Sequence, residues 1–286
     1  MNERTKRQIK RFFRTFFRRK VVIFGTIIIT LLVLMAIFAD VLSPYAPNKQ
    51  NLRETLQDPS AAHLLGTDQL GRDILTRIFH GSRISLLVGI STILLAGSVG
   101  MIIGMVSGYV GKGLDSVIMR FMDAQMSIPP MVLSMALCSA MGGGLVPMIV
   151  SMSFAYMPTY VRIMRSQVLA IKEADYITAS NIIGNPPVKT MLRHLFPNCL
   201  SPLIIQLTLN LGQAILTESS LSFLGMGVVP PTATWGSMVS QGYKYLFDKP
   251  MMCFIPGFCI MLVVLGFNMV GDGLRDALDP RLRGVI

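Results

Sequence analysis

The chain has 286 residues, of which only 14% are charged and 52% apolar, with a mean hydropathy of +0.56. Soluble proteins carry roughly 25% charged residues, so the composition argues against a water-soluble enzyme and for a polytopic membrane protein. The net charge of +11 is concentrated at one end: nine of the 26 Lys and Arg residues lie in the first twenty, just before an apolar run. There, positive charge orients a membrane protein rather than binding nucleic acid.

Residues 4 to 20 set Ile9, Phe12, Phe13, Phe16 and Phe17 at helical spacing with Arg and Lys between them. This predicts an amphipathic helix on the inner membrane surface. The run 21–42 is long, apolar and not closed by a small-x-small pattern, so it reads as a retained first span rather than a cleaved signal. Residues 43–83 are polar, hold Pro44, Pro47 and Pro59, and form a loop outside the membrane. A short helix is expected within it on the outer face, with Ile74, Leu75, Ile78 and Phe79 on one side and Arg72, Asp73 and Arg77 on the other.

Span two, 84–109, carries Ala96, Gly100, Gly104 and Gly108 four apart, a bare face onto which another helix should pack closely. Span three, 115–141, contains Pro129 and Pro130 and should kink there. After Gly142, Gly143 and Gly144, span four covers 146–169, a polar segment follows, and span five covers 202–225. An outer loop with Pro230, Pro231 and Trp235 leads to span six, 254–270. With six spans and both termini in the cytoplasm, 19 basic residues fall inside and seven outside, five of those in the long 43–83 loop where the rule is weakest. The fold class is therefore an all-α membrane protein of six transmembrane helices.

Cys138, Cys199, Cys253 and Cys259 sit in or beside apolar runs without CxxC spacing and read as small buried hydrophobes. His63, His80 and His194 are scattered, so no metal site is expected. The sequence has no GxxxxGK[ST], GxSxG or HExxH pattern. The chain is not expected to hydrolyse ATP or to act as an enzyme, and it should bind no cofactor itself.

Two constellations remain. In segment 172–198, Asp175 opens a helix, Gly184 suits the position after its end, Pro186 and Pro187 can start a second helix, and Pro197 should end it. Val188, Met191, Leu192 and Leu195 line one side of that second helix, too short and polar a segment to enter the bilayer. The stripe either packs beneath its own bundle or meets a partner surface. In span five, Gln206, Asn210, Gln213, Thr217 and Ser220 share one helix face with Glu218 beside it. Polar groups at membrane depth either line a pathway or bond neighbouring helices. Asp123 in span three poses the same choice, with Arg120 or a neighbouring subunit as its partner.

Segment 172–198 resembles the EAA loop of ATP-binding-cassette importer permeases. Thr178-Ala179-Ser180 stands at the EAA triplet, Gly184 at its glycine and Phe196-Pro197 at the closing Leu-Pro; the departures are Thr178 for Glu and Ser180 for Ala. Leu65 to Asp73 (LGTDQLGRD), Glu218 to Gly225 (ESSLSFLG) and Gly271 to Arg281 (GDGLRDALDPR) are similar to signatures of the dipeptide, oligopeptide and nickel permease family, in its C-type subunit. The resemblance spans essentially the whole chain.

It implies a type I importer permease fold with cytoplasmic coupling helices. Residues 1–42 would be the amphipathic helix and first span, 43–83 the extracytoplasmic loop, and 84–286 a five-helix permease core in a bacterial cytoplasmic membrane. Asp175, Tyr176, Thr178, Ala179, Ser180, Gly184, Val188, Met191, Leu192, Leu195 and Pro197 would couple to an ATPase, while Gln206, Asn210, Gln213, Thr217, Glu218 and Asp123 would lie on the translocation pathway. The implied partners are a homologous B-type permease, two ABC ATPase subunits that use ATP and Mg, an extracytoplasmic solute-binding protein and membrane lipid, with no nucleic acid. The implied cargo is a short peptide, with nickel or a metal chelate as the alternative. A secondary transporter driven by an ion gradient is the rival from another class; it would want paired ionisable groups within the membrane.

Overall fold

A computed structural model describes residues 12–278, which form a helical bundle. Among the described residues the one extended pairing is a bridge between Thr67 and Asp73. Ile9, Pro280, Arg281 and both chain ends fall outside the described residues.

Helix α1, Lys20–Ile37, buries Val22, Gly25, Ile28, Leu32 and Ala36 in one stripe. Phe24, Ile27, Leu31 and Leu34 on its other sides stay exposed. An exposed apolar surface of that extent requires lipid or a partner chain. A single turn, α2 (Ala39–Leu42), ends it before Pro44. Residues 43–73 then wrap one end of the bundle, the loop end, without regular structure. Gly71 is required there: at φ +67°, an added Cβ would stand 1.8 Å from the Asn51 carbonyl oxygen.

Helix α3, Ile74–Val110, is capped by Asp73, whose carboxylate accepts from the Thr76 N–H at 2.7 Å. Here the structure corrects the expectation of a short surface helix followed by a separate span. Nothing between Phe79 and Ile84 breaks the helix, and Gly81 is tolerated because Trp235 Cδ1 would lie 3.3 Å from a Cβ there. At 1.5 Å per residue, α3 is about 55 Å long against a hydrocarbon core of about 30 Å. Its first turns therefore stand clear of any bilayer its later turns cross.

The prolines of the third segment divide it outright, giving α4 (Lys112–Met126) and α5 (Pro130–Ala140), with Pro130 at the first helical position. Helix α6, Leu145–Ile171, follows three glycines of positive φ and runs alongside α3 in the same direction. The bare glycine face receives it: a Cβ at Gly100 would sit 2.7 Å from Tyr160 Cβ, one at Gly104 2.3 Å from the Val161 oxygen, and one at Gly108 2.9 Å from Val168 Cβ.

At the opposite end, the turn end, lie α7 (Asp175–Ile182) and α8 (Pro187–Thr190). Pro197 does not close the second of these. A π-helical turn, Met191–Leu195, leads straight into α9 (Phe196–Phe223), and its widened bonding, with Phe196 N–H donating to the Met191 oxygen, accommodates a proline that has no N–H. Helix α10, Trp235–Tyr243, opens with a Thr234/Ser237 capping box, and α11, Met251–Leu278, completes the bundle.

Among the described residues, four stretches are long and apolar enough to cross a membrane: Lys20–Ile37, Ile74–Val110, Pro187–Phe223 and Met251–Leu278. One core, around Tyr160, Met152, Met164 and Leu203, joins α3, α6 and α9; a second, around Trp235, Val263 and Phe267, joins α1, α10 and α11.

Candidate functional site

Segment 172–198 hangs between the ends of α6 and α9. Helix α7 turns Ile177 and Ser180 inward, where both are buried. The Ser180 hydroxyl lies 3.1 Å from that of Thr190 on α8 and accepts from Asn185 Nδ2 at 3.1 Å. Gly184 has φ +80°, the Ile183 N–H donates to the Ala179 oxygen and the Asn185 N–H to the Ser180 oxygen. That last bond spans six residues and is the Schellman closure, which needs a left-handed residue at Gly184.

The expected apolar stripe divides. On the π-helical turn that runs into α9, Leu195 is buried and Met191 packs against the chain's own core, while Leu192 of the same turn faces outward. Val188 at 60% and Leu192 at 57% are exposed. Ile182 and Ile183, at 80% and 78%, extend the outward apolar surface, and Tyr176 joins them. The sequence reading missed both isoleucines, because at the end of α7 and just beyond it they do not share the period of the second helix. Asp175, Thr178, Ala179 and Pro197 are exposed as well.

The polar face of α9 also splits. Gln206 Nε2 donates to Asn210 Oδ1 at 3.0 Å, and Asn210 Nδ2 donates to the Tyr160 hydroxyl of α6 at 3.1 Å. Thr217 Oγ1 meets the Tyr156 hydroxyl at 2.9 Å. The bonds to Tyr160 and Tyr156 join α9 to α6. Gln213 has an exposed side chain. Glu218 is fully buried; Ser222 donates to it at 2.8 Å and Ser219 at 3.3 Å, and the hydroxyls of Ser85 and Thr234 also reach it. It thus knits α9 to α3 and to the cap of α10.

Asp123 is exposed and pairs with Arg162 of α6, not with Arg120. One helical turn further along α6, Arg165 grips Asp115 with both nitrogens, Nε to Oδ1 at 2.5 Å and Nη2 to Oδ2 at 2.6 Å, and Ser107 donates to Asp115 at 2.5 Å. Two ion pairs thus hold α4 to α6 beside the segment that begins at Lys172. The sequence signal for them was two acids on one segment and two arginines three apart on another, with nothing in spacing to match them.

At the loop end the LGTDQLGRD run forms a buried charge network. Arg72 Nε donates to Asp68 Oδ2 at 2.7 Å, Arg77 Nε approaches the same oxygen at 3.5 Å, and Arg72 Nη2 reaches Gln241 of α10 at 3.2 Å. His63 Nδ1 lies 2.9 Å from Asp73 Oδ1, which fastens the loop to the cap of α3. Among the described residues no group of three or more His, Cys, Asp or Glu could hold a metal ion, and all four cysteines are free thiols.

Comparison with known proteins matches residues 100–284 to the family described as binding-protein-dependent transport system inner membrane component. Residues 7–59 match the N-terminal TM domain of oligopeptide transport permease C. The di/tripeptide transport system permease protein DppC of Pseudomonas aeruginosa (strain UCBPP-PA14) is 38% identical over 96% of this chain and 93% of its own length. The dipeptide transport system permease protein DppC of Alkalihalophilus pseudofirmus is 40% identical over 95% and 89%. The oligopeptide transport system permease protein OppC of Bacillus subtilis is 39% identical over 92% and 87%.

Proposed function

The chain belongs to the family of binding-protein-dependent transport system inner membrane components, and from that premise we propose that it is one permease subunit of an ATP-driven importer of short peptides. The observation that carries this reading is the exposed apolar turn of Tyr176, Ile182, Ile183, Val188 and Leu192 at one end of a membrane bundle. An apolar surface on a segment too polar for lipid serves a protein partner, and in such an importer that partner is an ATPase subunit. The relatives named for dipeptides, tripeptides and oligopeptides favour peptide over nickel or a chelate.

In this reading α1, α3, the α4–α5 pair, α6, α8–α9 and α11 make six spans, with the turn end and both termini in the cytoplasm. A homologous permease completes the pathway, two ATPases using ATP and Mg sit beneath it, and a solute-binding protein docks at the loop end. Exposed Gln213, with Gln206 and Asn210 behind it, faces the pathway, and Thr217 and Glu218 brace its wall. Closure of the two ATPases pushes α7 and alternates access.

The test is ATP-driven uptake of a labelled dipeptide by proteoliposomes holding the full complex. Replacing Ile182 and Ile183 with Asp should abolish uptake and ATPase retention while the permease pair still assembles. Full uptake by that variant would sink the assignment of this turn. Sidedness is checked by single cysteines at Gln57 and Ile183, which should react with impermeant reagent from opposite faces; reaction from one face would overturn the six-span arrangement.

A further inference from the structure

Residues 12–20 carry a surface that the transport reading does not use. Residues 12–16 are helical and lead through a turn into α1 at Lys20. One side of this segment is gripped by α11. Phe16 is buried beside Gly273, where a Cβ would stand 2.6 Å from Val22 Cγ1 and 3.2 Å from Phe16 Cε2. Arg19 Nε lies 3.0 Å from Asp276 Oδ2, also on α11.

The other side faces outward. Phe13 and Phe17 are exposed at 52% and 39%, with rings stacked 6.2 Å apart and 8° from parallel. Arg14, Arg18 and Lys20 are exposed around them, and residues 12–20 include no acidic residue. Two apolar rings flanked by cations, at the point where an apolar span begins, match the boundary between acyl chains and headgroups. The rings would enter the acyl layer and the guanidinium groups would meet phosphate. A zwitterionic headgroup offers no net charge to this cluster; an anionic one does.

We propose that this surface binds anionic phospholipid, and that the Phe16 and Arg19 contacts carry the engagement to α11. The inference rests on the bundle spanning a bilayer and not on the identity of the cargo. It predicts an importer whose activity depends on the lipid charge of the leaflet around residue 20.

The experiment uses the full chain in its assembled complex, titrated in nonionic detergent with phosphatidylglycerol and separately with phosphatidylcholine, and reads bound lipid by mass spectrometry. Arg14→Gln with Arg18→Gln should weaken phosphatidylglycerol binding by about fivefold for each charge removed, equivalent to ~1 kcal/mol per basic residue, and leave phosphatidylcholine unchanged. The Lys variants at both positions should restore it. If the double variant fails to insert, Arg18→Gln alone carries the test, with a fivefold loss expected. Asp276→Asn should keep phosphatidylglycerol affinity but flatten the stimulation of uptake by phosphatidylglycerol vesicles relative to phosphatidylcholine vesicles. Unchanged affinity in the Gln variants would overturn the proposal, as would an equal loss of both lipids. Loss of a protein subunit with lipid binding intact would assign the surface to a protein partner instead and overturn it equally.

Discussion

The hydroxyls of Ser180 and Thr190, ten residues apart in sequence, meet at 3.1 Å and lock α7 against α8 across the Gly184 turn. Ser180 also takes a bond from Asn185, so one small side chain holds both sides of the turn. This gives the turn two independent supports, a backbone conformation at Gly184 and a side-chain clasp at Ser180. The two can be removed separately.

Gly184→Val should uncouple without unfolding. A Cβ at Gly184 would meet nothing within 4 Å, so the cost is conformational alone, roughly 1–3 kcal/mol for a β-branched residue at positive φ. The expected result is normal membrane insertion, lost dipeptide uptake and ATP hydrolysis that no longer responds to loaded binding protein. Gly184→Asn, which tolerates the left-handed region, should keep most uptake. Equal uptake by the Val and wild-type proteins would refute the role of the turn. Ser180→Ala should lower the unfolding free energy of this segment by about 0.5–1.5 kcal/mol, read as faster hydrogen exchange across 176–190.

The glycine face of α3 predicts a steep steric series. At Gly104 a Cβ would lie 2.3 Å from the Val161 carbonyl oxygen and 2.9 Å from Met164 Cβ, so α6 must shift. Gly104→Ala should cost about 1–3 kcal/mol, seen as a lower midpoint in thermal unfolding of the detergent-solubilised protein. Gly113→Ala, where a Cβ meets nothing, is the matched control. An equal midpoint for both variants would contradict the close approach of the two helices.

That close approach was legible in the sequence because glycines four apart leave one face bare whatever packs on it. Gly184 was legible for a similar reason: a helix that must stop needs a residue free to take positive φ. The fate of Met191 and Leu195 was not legible. Their spacing is helical in either case, and only the continuation of the chain through the π-helical turn into α9 sets which side of that turn meets the core, with Met191 and Leu195 inward and Leu192 outward. The α9 stripe was left open for a different reason. Residues at i, i+4 and i+7 share a face, but whether that face meets water or α6 depends on Tyr156 and Tyr160, some fifty residues away. The charge network was not legible: Asp68 and Arg72 stood out only as part of the LGTDQLGRD run and Arg77 read as the polar side of a surface helix, whereas it is buried, and which charges pair follows from the fold of residues 43–73.

That network should be a stability element. Asp68 and Arg72 are both buried, and removing one partner from a buried pair costs about 3–5 kcal/mol. Arg72→Gln should make the 43–73 loop more susceptible to protease and reduce the amount of folded protein. Unaltered protease resistance would show that the pair contributes little.

The polar groups of α9 allow packing to be tested apart from the proposed passage role. Asn210→Leu removes a bond to Tyr160 of α6, and interhelical hydrogen bonds of this kind contribute about 0.6 kcal/mol, up to about 1.7. Assembly should weaken slightly. Gln213→Leu removes an exposed group, so assembly should hold while dipeptide uptake falls. A loss of assembly in Gln213→Leu greater than that in Asn210→Leu would reverse the two roles.

The Asp115–Arg165 pair yields the last prediction. Helix α4 is separated from α5 at residues 127–129 and joined to α3 through Gly111, and near that joint Arg165 holds Asp115 by two charge-assisted bonds while Ser107 of α3 adds a third. Asp123–Arg162 adds a second tie, but both partners are exposed, and an exposed pair contributes at most about 1 kcal/mol. The Asp115 cluster, less exposed and bidentate, should contribute more, of order 1.5–3 kcal/mol. Releasing it loosens the end of α4 near Lys172, where the segment proposed to meet the ATPase begins. Asp115→Asn should therefore raise ATP hydrolysis in the absence of loaded binding protein and lower peptide uptake per ATP, whereas Asp123→Asn should change both only slightly. Swapping the pair, Asp115→Arg with Arg165→Asp, should restore part of the coupling, because the attraction survives even though the bond to Ser107 does not. If Asp115→Asn leaves uncoupled hydrolysis at the wild-type level, α4 is not held by this pair.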